Sequence, residues 1–465
     1  MNARIRARRA VLSGAAVAAI GLLPVSAPLA QDEEEAPGLL EQVVENARYE
    51  SETVLSLYSR PPDQAAANGV ENQDFEAWTH LSMESDTFLN DYWTLGVGLE
   101  AVASTYSGAE RGLFTRPGSR SGHGRYLDAS RLTLSYLGDV VEVTMGKDSV
   151  PFGVAEIYSP TDIYGADNSV NPQHAVDFGV WQVRADAYLG SDRLTGIIMP
   201  VEENTPGPHE SSRWGGSNGS GGSEFAAIDI PGLPPGLTAE IEEDLRGVTP
   251  EEWGYLVQYK GTATGLDYFV SGFNGPGPYP VLKRPPRGRL NPYDKVYPRV
   301  TVASFGAAVT EGAWKLYAEG VGYWAMRGRD DDLARGLIGA KYRETRLANS
   351  MGLDEITPVV EYAREVRLDS QSDPDYVLSS EDARPNRNNI IASLTVTVDS
   401  EWKFGGAYNR ALDERDNLAS LFLRYEPTDN LRLSWTATRY EGPDDTLFGR
   451  YDRNDNVEFA VNYRF

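Results

Sequence analysis

The sequence predicts an all-β fold, a transmembrane antiparallel β-barrel of about eighteen strands, on three observations. The last nine residues, 457–465, alternate apolar and polar side chains without a break and stop on an aromatic residue. After the N-terminal segment no run of eighteen consecutive apolar residues occurs, so a membrane-embedded form would have to cross as strands. Short and long connections alternate along the chain, as expected when turns lie on one side of a membrane and loops on the other.

Residues 1–30 read as a secretory signal peptide that is not part of the fold. Arg4, Arg6, Arg8 and Arg9 precede an almost wholly apolar stretch at 11–23, and small residues follow up to Ala30. We expect cleavage after Ala30, and the Arg8–Arg9 pair leaves a twin-arginine signal open. Export leaves two classes, a secreted soluble protein or a barrel. The absence of cysteine favours the barrel, whose closed ladder needs no disulfides.

Charge excludes one class of partner. The formal net charge is −25, so binding to nucleic acid is not expected.

Residues 31–48 form either an acidic periplasmic leader or a short amphipathic helix, and residues 49–465 form the barrel domain.

Eighteen strand-like runs follow the leader. Sixteen strands remain an alternative, if 49–84 caps or plugs the barrel. The predicted runs are 49–59, 74–84, 91–106, 125–137, 139–147, 179–189, 192–201, 252–261, 264–274, 298–310, 312–325, 334–347, 356–368, 388–399, 401–411, 416–426, 430–441 and 456–465.

The connections from residue 86 onward divide by length. Short turns lie near 138, 191, 262, 311, 400 and 427, and long connections occupy 107–124, 148–178, 202–251, 275–297, 369–387 and 442–455. The longest, 202–251, is rich in Gly, Ser and Asn and ends in an acidic run. We expect it to be external and mobile, with carboxylates that bind lipopolysaccharide through divalent cations.

Alternation within the strands assigns one face to lipid and the other to a wet lumen. In 179–189, Trp181 and Val183 oppose Arg184, so the charge lies away from the apolar face. A soluble sandwich would alternate in the same way, and the signal peptide and loop pattern decide between the two. The basic residues placed on the lumen wall are Arg131, Arg184, Lys315, Arg335, Lys341, Arg343, Lys403, Arg424, Arg432 and Arg464. The acids placed there are Glu142, Asp186, Asp267, Glu319, Glu361, Glu365 and Glu458.

Two segments resemble Gram-negative outer-membrane porin-like β-barrels. The terminal strand, with Tyr463 and Phe465, is similar to the signal that such barrels present to the barrel-assembly machinery. The stretch 145–153, Met-Gly-Lys-Asp-Ser-Val-Pro-Phe-Gly, resembles the point at which porins leave a strand and enter their third external loop. The resemblance implies that 148–178 folds inward as a constriction loop facing a basic wall; an ordinary surface loop is the alternative. Its residues would be Asp148, Pro151, Phe152, Gly153, Glu156, Asp162 and Asp167.

The expected function is passive diffusion of small hydrophilic solutes or ions through an outer-membrane channel. Two alternatives stay open: a channel specific for a sugar, polyanion or hydrophobic compound, and a plugged structural or adhesive barrel. His80, His123, His174 and His209 lie in no serine-nucleophile or zinc motif, so we expect no enzyme, cofactor or metal. Trimers are common in this architecture, and the resemblance leaves a homotrimer open.

Overall fold

The computed structural model describes residues 37–60, 74–105, 110–111, 125–150, 152–168, 172–201, 213–214, 241–243, 249–287, 289, 292–443 and 446–465. The predicted signal peptide lies outside them. Eighteen barrel strands, numbered here in chain order, are β1 Arg48–Tyr58, β2 Phe75–Phe88, β3 Trp93–Ser104, β4 Arg125–Leu137, β5 Val141–Asp148, β6 Val180–Leu189, β7 Asp192–Met199, β8 Gly254–Ala263, β9 Leu266–Pro276, β10 Arg299–Glu311, β11 Trp314–Ala325, β12 Asp332–Tyr342, β13 Glu355–Asp369, β14 Asn388–Thr397, β15 Trp402–Ala411, β16 Asn417–Thr428, β17 Leu431–Glu441 and β18 Asn456–Arg464.

These strands form one closed ring in which each pairs antiparallel with the next. The ring closes between β1 and β18, where Glu50 lies opposite Arg464 and Tyr58 lies opposite Asn456. The predicted count of eighteen is therefore confirmed. The sixteen-strand alternative is wrong, because the segment that it would turn into a plug forms β1 and β2, each paired on both edges.

Two strand ends differ from the sequence prediction by more than two residues, each for a local reason. The second strand continues to Phe88, because Ser85 and Thr87 extend the buried face before the turn begins. In that turn the Asn90 Oδ1 atom accepts hydrogen bonds from the backbone N–H groups of Tyr92 and Trp93. The twelfth strand ends at Tyr342 and not at 347. Glu344 accepts the N–H of Leu347 at 2.7 Å and so begins a helix in place of further strand.

The remaining elements are short. An α-helix, α1 (Leu39–Glu45), precedes β1, and α2 (Arg346–Ser350) lies in the turn before β13. None of the helices in the described ranges is long and apolar enough to cross a bilayer. The 3-10 helices are Pro172–His174, Met326–Gly328, Glu381–Ala383 and Gly449–Asn454. Seven short strands complete the set: Glu110–Arg111, Ala166–Asn168, Val176–Phe178, Ile241–Glu243, Val281–Lys283, Tyr293–Val296 and Tyr376–Leu378.

The outer and inner faces of the wall differ in chemistry. On β18 the outward Val457 is 52% exposed, whereas the inward Glu458 is 4% exposed. The same alternation exposes Leu421 and buries Glu361 on their strands. An apolar exterior that surrounds a polar interior is the arrangement of a barrel in lipid, and it is opposite to that of a soluble sandwich.

Aromatic pairs mark the periplasmic end of the outer face. Trp314 contacts Tyr342 with ring centroids 4.5 Å apart, and Trp402 stacks on Tyr425 at 4.3 Å. Tyr463 meets Phe465 edge to face at 4.9 Å. Such amphipathic rings occupy the boundary between hydrocarbon and head groups. The closed ring, its apolar exterior and this girdle define the chain as an outer-membrane β-barrel.

Candidate functional site

The connection between β5 and β6 folds into the lumen. We call residues 152–168 and 172–179 of this connection the inner loop. It contains a small hairpin made by Ala166–Asn168 and Val176–Phe178, with the 3-10 helix Pro172–His174 between the two arms. Its side chains and backbone contact the inner faces of two separate parts of the barrel wall. These contacts, more than the loop's length, make it the candidate functional site.

Two buried carboxylates of the wall hold the first half of the inner loop. Glu319 of β11 is 3% exposed and accepts the N–H groups of Val154 and Ala155 at 2.5 and 2.9 Å. It also accepts the hydroxyls of Ser159 and Thr161 at 2.6 and 2.9 Å. A buried carboxylate is stable only when donors surround it, so the loop and the wall depend on each other.

Glu361 of β13 holds the next residues of the inner loop in the same way. Its side chain is fully buried and accepts the N–H groups of Glu156, Ile157 and Tyr158 at 2.9–3.0 Å. The hydroxyl of Tyr317 donates to the same carboxylate at 2.7 Å. Five consecutive backbone N–H groups, 154–158, therefore donate to two carboxylates, which fixes both the position and the direction of the loop.

Gly153 allows this docking. Its φ is +100°, a conformation that side chains rarely adopt. A Cβ atom there would lie 2.3 Å from the Ser159 hydroxyl and 2.9 Å from the Glu319 carboxylate. The last residue of the Pro-Phe-Gly stretch is therefore required to be glycine, because a side chain there would take the space of the Glu319 carboxylate.

Glu156 is the loop acid that meets the predicted basic wall. Its two carboxylate oxygens pair with the ammonium groups of Lys315 at 2.6 Å and Lys341 at 2.8 Å. Partial burial works to raise the pKa of Glu156, but hydrogen bonds and charge from the two lysines outweigh it and hold that pKa below its usual range. The contact is direct, so the loop lies on this wall and does not face it across a gap.

A buried arginine completes the attachment. Arg335 of β12 donates to the hydroxyls of Tyr158 and Tyr279 and to the carbonyl of Pro385. Its Nε atom lies 3.3 Å from Glu365. Burial raises the pKa of the Tyr158 hydroxyl, which stays neutral. Arg335 thereby joins the inner loop to the connection that precedes β14.

Apolar side chains fill the space between loop and wall. Phe152 meets Tyr164 and Phe269 edge to face at 4.7 and 5.6 Å. Tyr164 also contacts Phe273 at 5.0 Å. These rings belong to a cluster that continues over the inner faces of β7 to β12. That part of the lumen is occupied by packed apolar side chains.

The second half of the inner loop reaches another part of the wall. The Nε2 atom of His174 lies 3.0 Å from Glu458 on β18, and its Nδ1 atom lies 3.7 Å from Glu52 on β1. The ring stacks on Trp78 of β2 at 5.7 Å, and His80 stacks on the same indole at 5.7 Å. Next to His174, Gln173 accepts a hydrogen bond from Asn456 at 2.6 Å.

The inner loop therefore crosses the lumen. Its two attachment regions centre on β12 and on β1, which are seven strands apart around a ring of eighteen. The hydrogen bonds, ion pairs and ring contacts of the inner loop given above involve no residue of β14, β15 or β16. Other connections do reach these strands: Asn386, before β14, accepts a hydrogen bond from Asn409 of β15 at 2.8 Å, and Leu418 of β16 packs against the cluster of Tyr58, Trp214 and Tyr440. The space beside those strands is the candidate passage, bounded by wall on one side and by the inner loop on the other.

A second connection approaches the same wall at the extracellular end. Arg213 and Trp214, from the long segment between β7 and β8, are buried next to Tyr58 of β1. Arg213 donates to the carbonyls of Arg60 and Arg453 at 2.7 and 2.8 Å. The sequence predicted a mobile segment at 202–251; these two residues of it are fixed against β1, and most of the rest lies outside the described ranges.

The other predicted site residues occupy varied positions. Asp148, at the end of β5, lies 3.7 Å from Arg131, which pairs with Asp86 at 2.9 Å. Asp162 is exposed on the inner loop, Pro151 lies outside the described residues, and only the backbone of Asp167 is described. Arg184 pairs with Asp186 at 2.6 Å, and Arg464 pairs with Glu50 at 3.0 Å.

Arg343 departs from its predicted place on the wall. It follows the last residue of β12 and is exposed in the periplasmic turn, where it pairs with Glu355. The early strand end described above explains the difference. Lys403, Arg424 and Arg432 lie on the inner faces of β15 to β17, away from the inner loop.

Sequence reasoning did not identify the residues that anchor the loop. Glu319 and Glu361 were placed on the lumen face, but only as lining acids, and His174 was placed in no motif. The available signal was the alternation itself, which places Glu319 and Glu361 at inward positions of two nearby strands. Which loop would supply the donors required the three-dimensional arrangement.

Comparison with solved structures finds outer-membrane channels. OccK8 (OprE) of Pseudomonas aeruginosa is 10% identical, with a TM-score of 0.48 over 90% of this chain and 98% of that one. OccAB1 of Acinetobacter baumannii is 11% identical, with a TM-score of 0.45 over 91% and 97%. A mutant of the Rh. blastica porin is 9% identical, with a TM-score of 0.41 over 90% and 99%.

No protein-family model matches the chain, and no curated protein matches it. These three TM-scores are below 0.5, so the fold assignment rests on the strand pairing of the chain itself. That pairing closes the barrel independently of any neighbour.

Proposed function

We propose that the protein is a porin-like outer-membrane channel for passive diffusion of small hydrophilic solutes or ions. The observation that carries the proposal is the inner loop, which crosses a polar lumen and is held there by buried carboxylates at Glu319 and Glu361. A loop fixed in this way would narrow the lumen, and the contacts that hold it lie on strands other than β14–β16. Selection by size and by lining charge then needs no reactive residue, cofactor or energy source.

The lining of the remaining passage supports a hydrophilic solute. The inner faces of β14 to β17 carry Ser393, Thr395, Ser420, Ser434 and Thr436, with Gly405 and Ala407 between them. Small hydroxyl side chains leave space and offer hydrogen bonds to water and to polar solutes. One aromatic side chain, Phe422 of β16, shares this face with Gly405 and Thr436, whereas the large apolar cluster lies on the side under the inner loop.

A plugged structural barrel is the second candidate, because two connections converge on the wall near β1. Arg213 and Trp214 cover it from the extracellular end, and His174 covers it from within. Conductance of the refolded, heat-modifiable barrel in a planar bilayer separates the two functions. Discrete open steps support the channel. Membranes that remain silent although the barrel has folded would refute it and leave the plugged structure.

Three partners belong to the same proposal. Tyr463 and Phe465, exposed on the outer face at the end of the chain, would present the terminal strand to the barrel-assembly machinery. The acidic 202–251 segment would bind lipopolysaccharide through divalent cations, so calcium should raise the melting temperature of the barrel in lipopolysaccharide-containing membranes. A homotrimer would be detected as a dissociable species on unheated gels.

A further inference from the structure

The open side of the lumen carries a group of cations at its periplasmic end. Lys403 of β15, Arg424 of β16 and Arg432 of β17 all face inward. One carboxylate, Glu426, lies among them and pairs with Lys403 at 3.0 Å and with Arg432 at 2.8 Å. Three cations around one carboxylate leave two positive charges in excess, in a chain whose formal net charge is −25.

Two of these cations are neighbours across a strand pair, and one of them lacks a carboxylate partner among the described residues. Lys403 and Arg424 are direct partners in the β15–β16 register. Like charges placed directly opposite each other destabilise a strand pair. Glu426 bonds to Lys403 and Arg432, whereas the Nε atom of Arg424 is buried with no hydrogen-bond partner among the described residues. A buried guanidinium N–H that no group satisfies is itself an indication of an absent acceptor.

Space for an acceptor exists beside this cluster. A recess of about 210 Å³ is lined by Glu426, Arg432, Asn462, Arg464, Ser400 and the turn residues 428–431. Of the three cations, Arg432 belongs to this lining, and Lys403 and Arg424 lie on the neighbouring strands. Arg464 is already paired with Glu50, and Asp429 lies in the exposed turn at the rim. The cations are neither fully buried nor fully exposed, with side-chain exposures of 32% for Lys403 and 36% for Arg432. Their charge is therefore screened less than that of surface residues.

We propose that Lys403, Arg424 and Arg432 form a binding subsite for small oxyanions, such as carboxylates and phosphates, at the periplasmic end of the passage. The inference rests on the proposed channel function. The planar guanidinium of Arg424 and the free N–H groups of Lys403 and Arg432 match the oxygens of such an anion. An anion that enters between the inner loop and the open wall meets this site before it leaves the barrel.

The test compares two variants that each remove one lumen charge near the periplasmic end. Arg424→Gln alters the proposed subsite. Lys260→Gln is the matched control, because Lys260 lies on the inward face of β8, on the wall that the inner loop covers. Both are refolded, checked for heat-modifiable mobility and measured in planar bilayers under a KCl gradient, without and with inorganic phosphate.

In the wild type we expect phosphate to reduce the chloride-carried current. Arg424→Gln should lose that reduction and shift the chloride-to-potassium permeability ratio toward potassium by about two- to fivefold. The lower figure follows from the Coulomb energy of one charge about 8 Å from the ion with salt screening, and the higher figure follows without it. Lys260→Gln should retain the phosphate effect. A folded, conducting Arg424→Gln channel with unchanged selectivity and phosphate response overturns the subsite but leaves the channel intact. Absence of conductance in the wild type overturns both.

Discussion

Replacing Glu361 with glutamine should release the inner loop from β13. In the wild type this carboxylate accepts three backbone N–H groups of the loop and the hydroxyl of Tyr317. The amide keeps one oxygen, loses the charge and introduces an NH₂ group facing the N–H of Tyr158. Hydrogen bonds to a charged group contribute about 1.5–3 kcal/mol each, and their loss is not additive. We therefore expect the loop's docked state to lose about 3 kcal/mol.

That change should be visible in the pore. About 3 kcal/mol is roughly a hundredfold in the ratio of docked to released loop. Single-channel recordings of Glu361→Gln should show a larger and noisier conductance than the wild type. Amide hydrogen exchange at 154–158 should accelerate, while exchange in the barrel strands should stay slow.

Glu142→Gln is the control for the same change of charge. Glu142 also faces the lumen, on β5, but its described partner is the Tyr188 hydroxyl and not the inner loop. It should leave the conductance noise and the exchange at 154–158 unchanged. If Glu361→Gln behaved like this control in both assays, the carboxylate would not hold the loop and the reasoning on which the constriction rests would be refuted.

Three further outcomes are expected. Burial works to lower the pKa of His174, but the carboxylates of Glu458, Glu52 and Glu76 raise it overall. The free energy that protonated His174 contributes to docking of the inner loop is therefore complete below the ordinary pKa of 6.5 and declines as pH rises through the higher pKa of the docked state. Conductance noise should increase with pH in the wild type and not in His174→Gln. Trp214→Ala leaves a cavity between Tyr58 and Tyr440 and should cost about 3 kcal/mol of local stability. Proteolysis near 449–455 should become faster, and unchanged proteolysis would count against this contact. Phe465→Ala should slow assembly in cells while the purified barrel still refolds; normal assembly would exclude the terminal signal.

The fold could be predicted because its signals are local. Alternation over ten residues, short turns and long loops are properties of neighbouring residues, and they were sufficient to count the strands. Strand ends were less certain where a side chain acts across a turn, as Glu344 does when it begins a helix at the end of β12. The direction of the third loop followed from its resemblance to porins and not from periodicity.

The candidate site could be predicted only in part, because its contacts join distant segments. Glu156 was expected to face a basic wall, and Lys315 and Lys341 are the basic residues that it meets. The same alternation placed Glu319 and Glu361 on the inner face. It could not show that their oxygens would accept hydrogen bonds from backbone N–H groups more than 150 residues away along the chain. Alternation shows which face of the sheet a side chain is on, but not how deep in the barrel a loop lies.

These separations determine when the inner loop can dock on the wall. The N–H of Val154 and its acceptor on Glu319 are 165 residues apart, and the N–H of Glu156 and Glu361 are 205 apart. Ring closure joins residues 414 apart, at Glu50 and Arg464. Contacts of such high sequence separation form late in folding. The N–H groups at 154–158 lack their carboxylate acceptors until β11 to β13 are in place, so the first half of the inner loop can dock only in the last steps of the barrel's assembly.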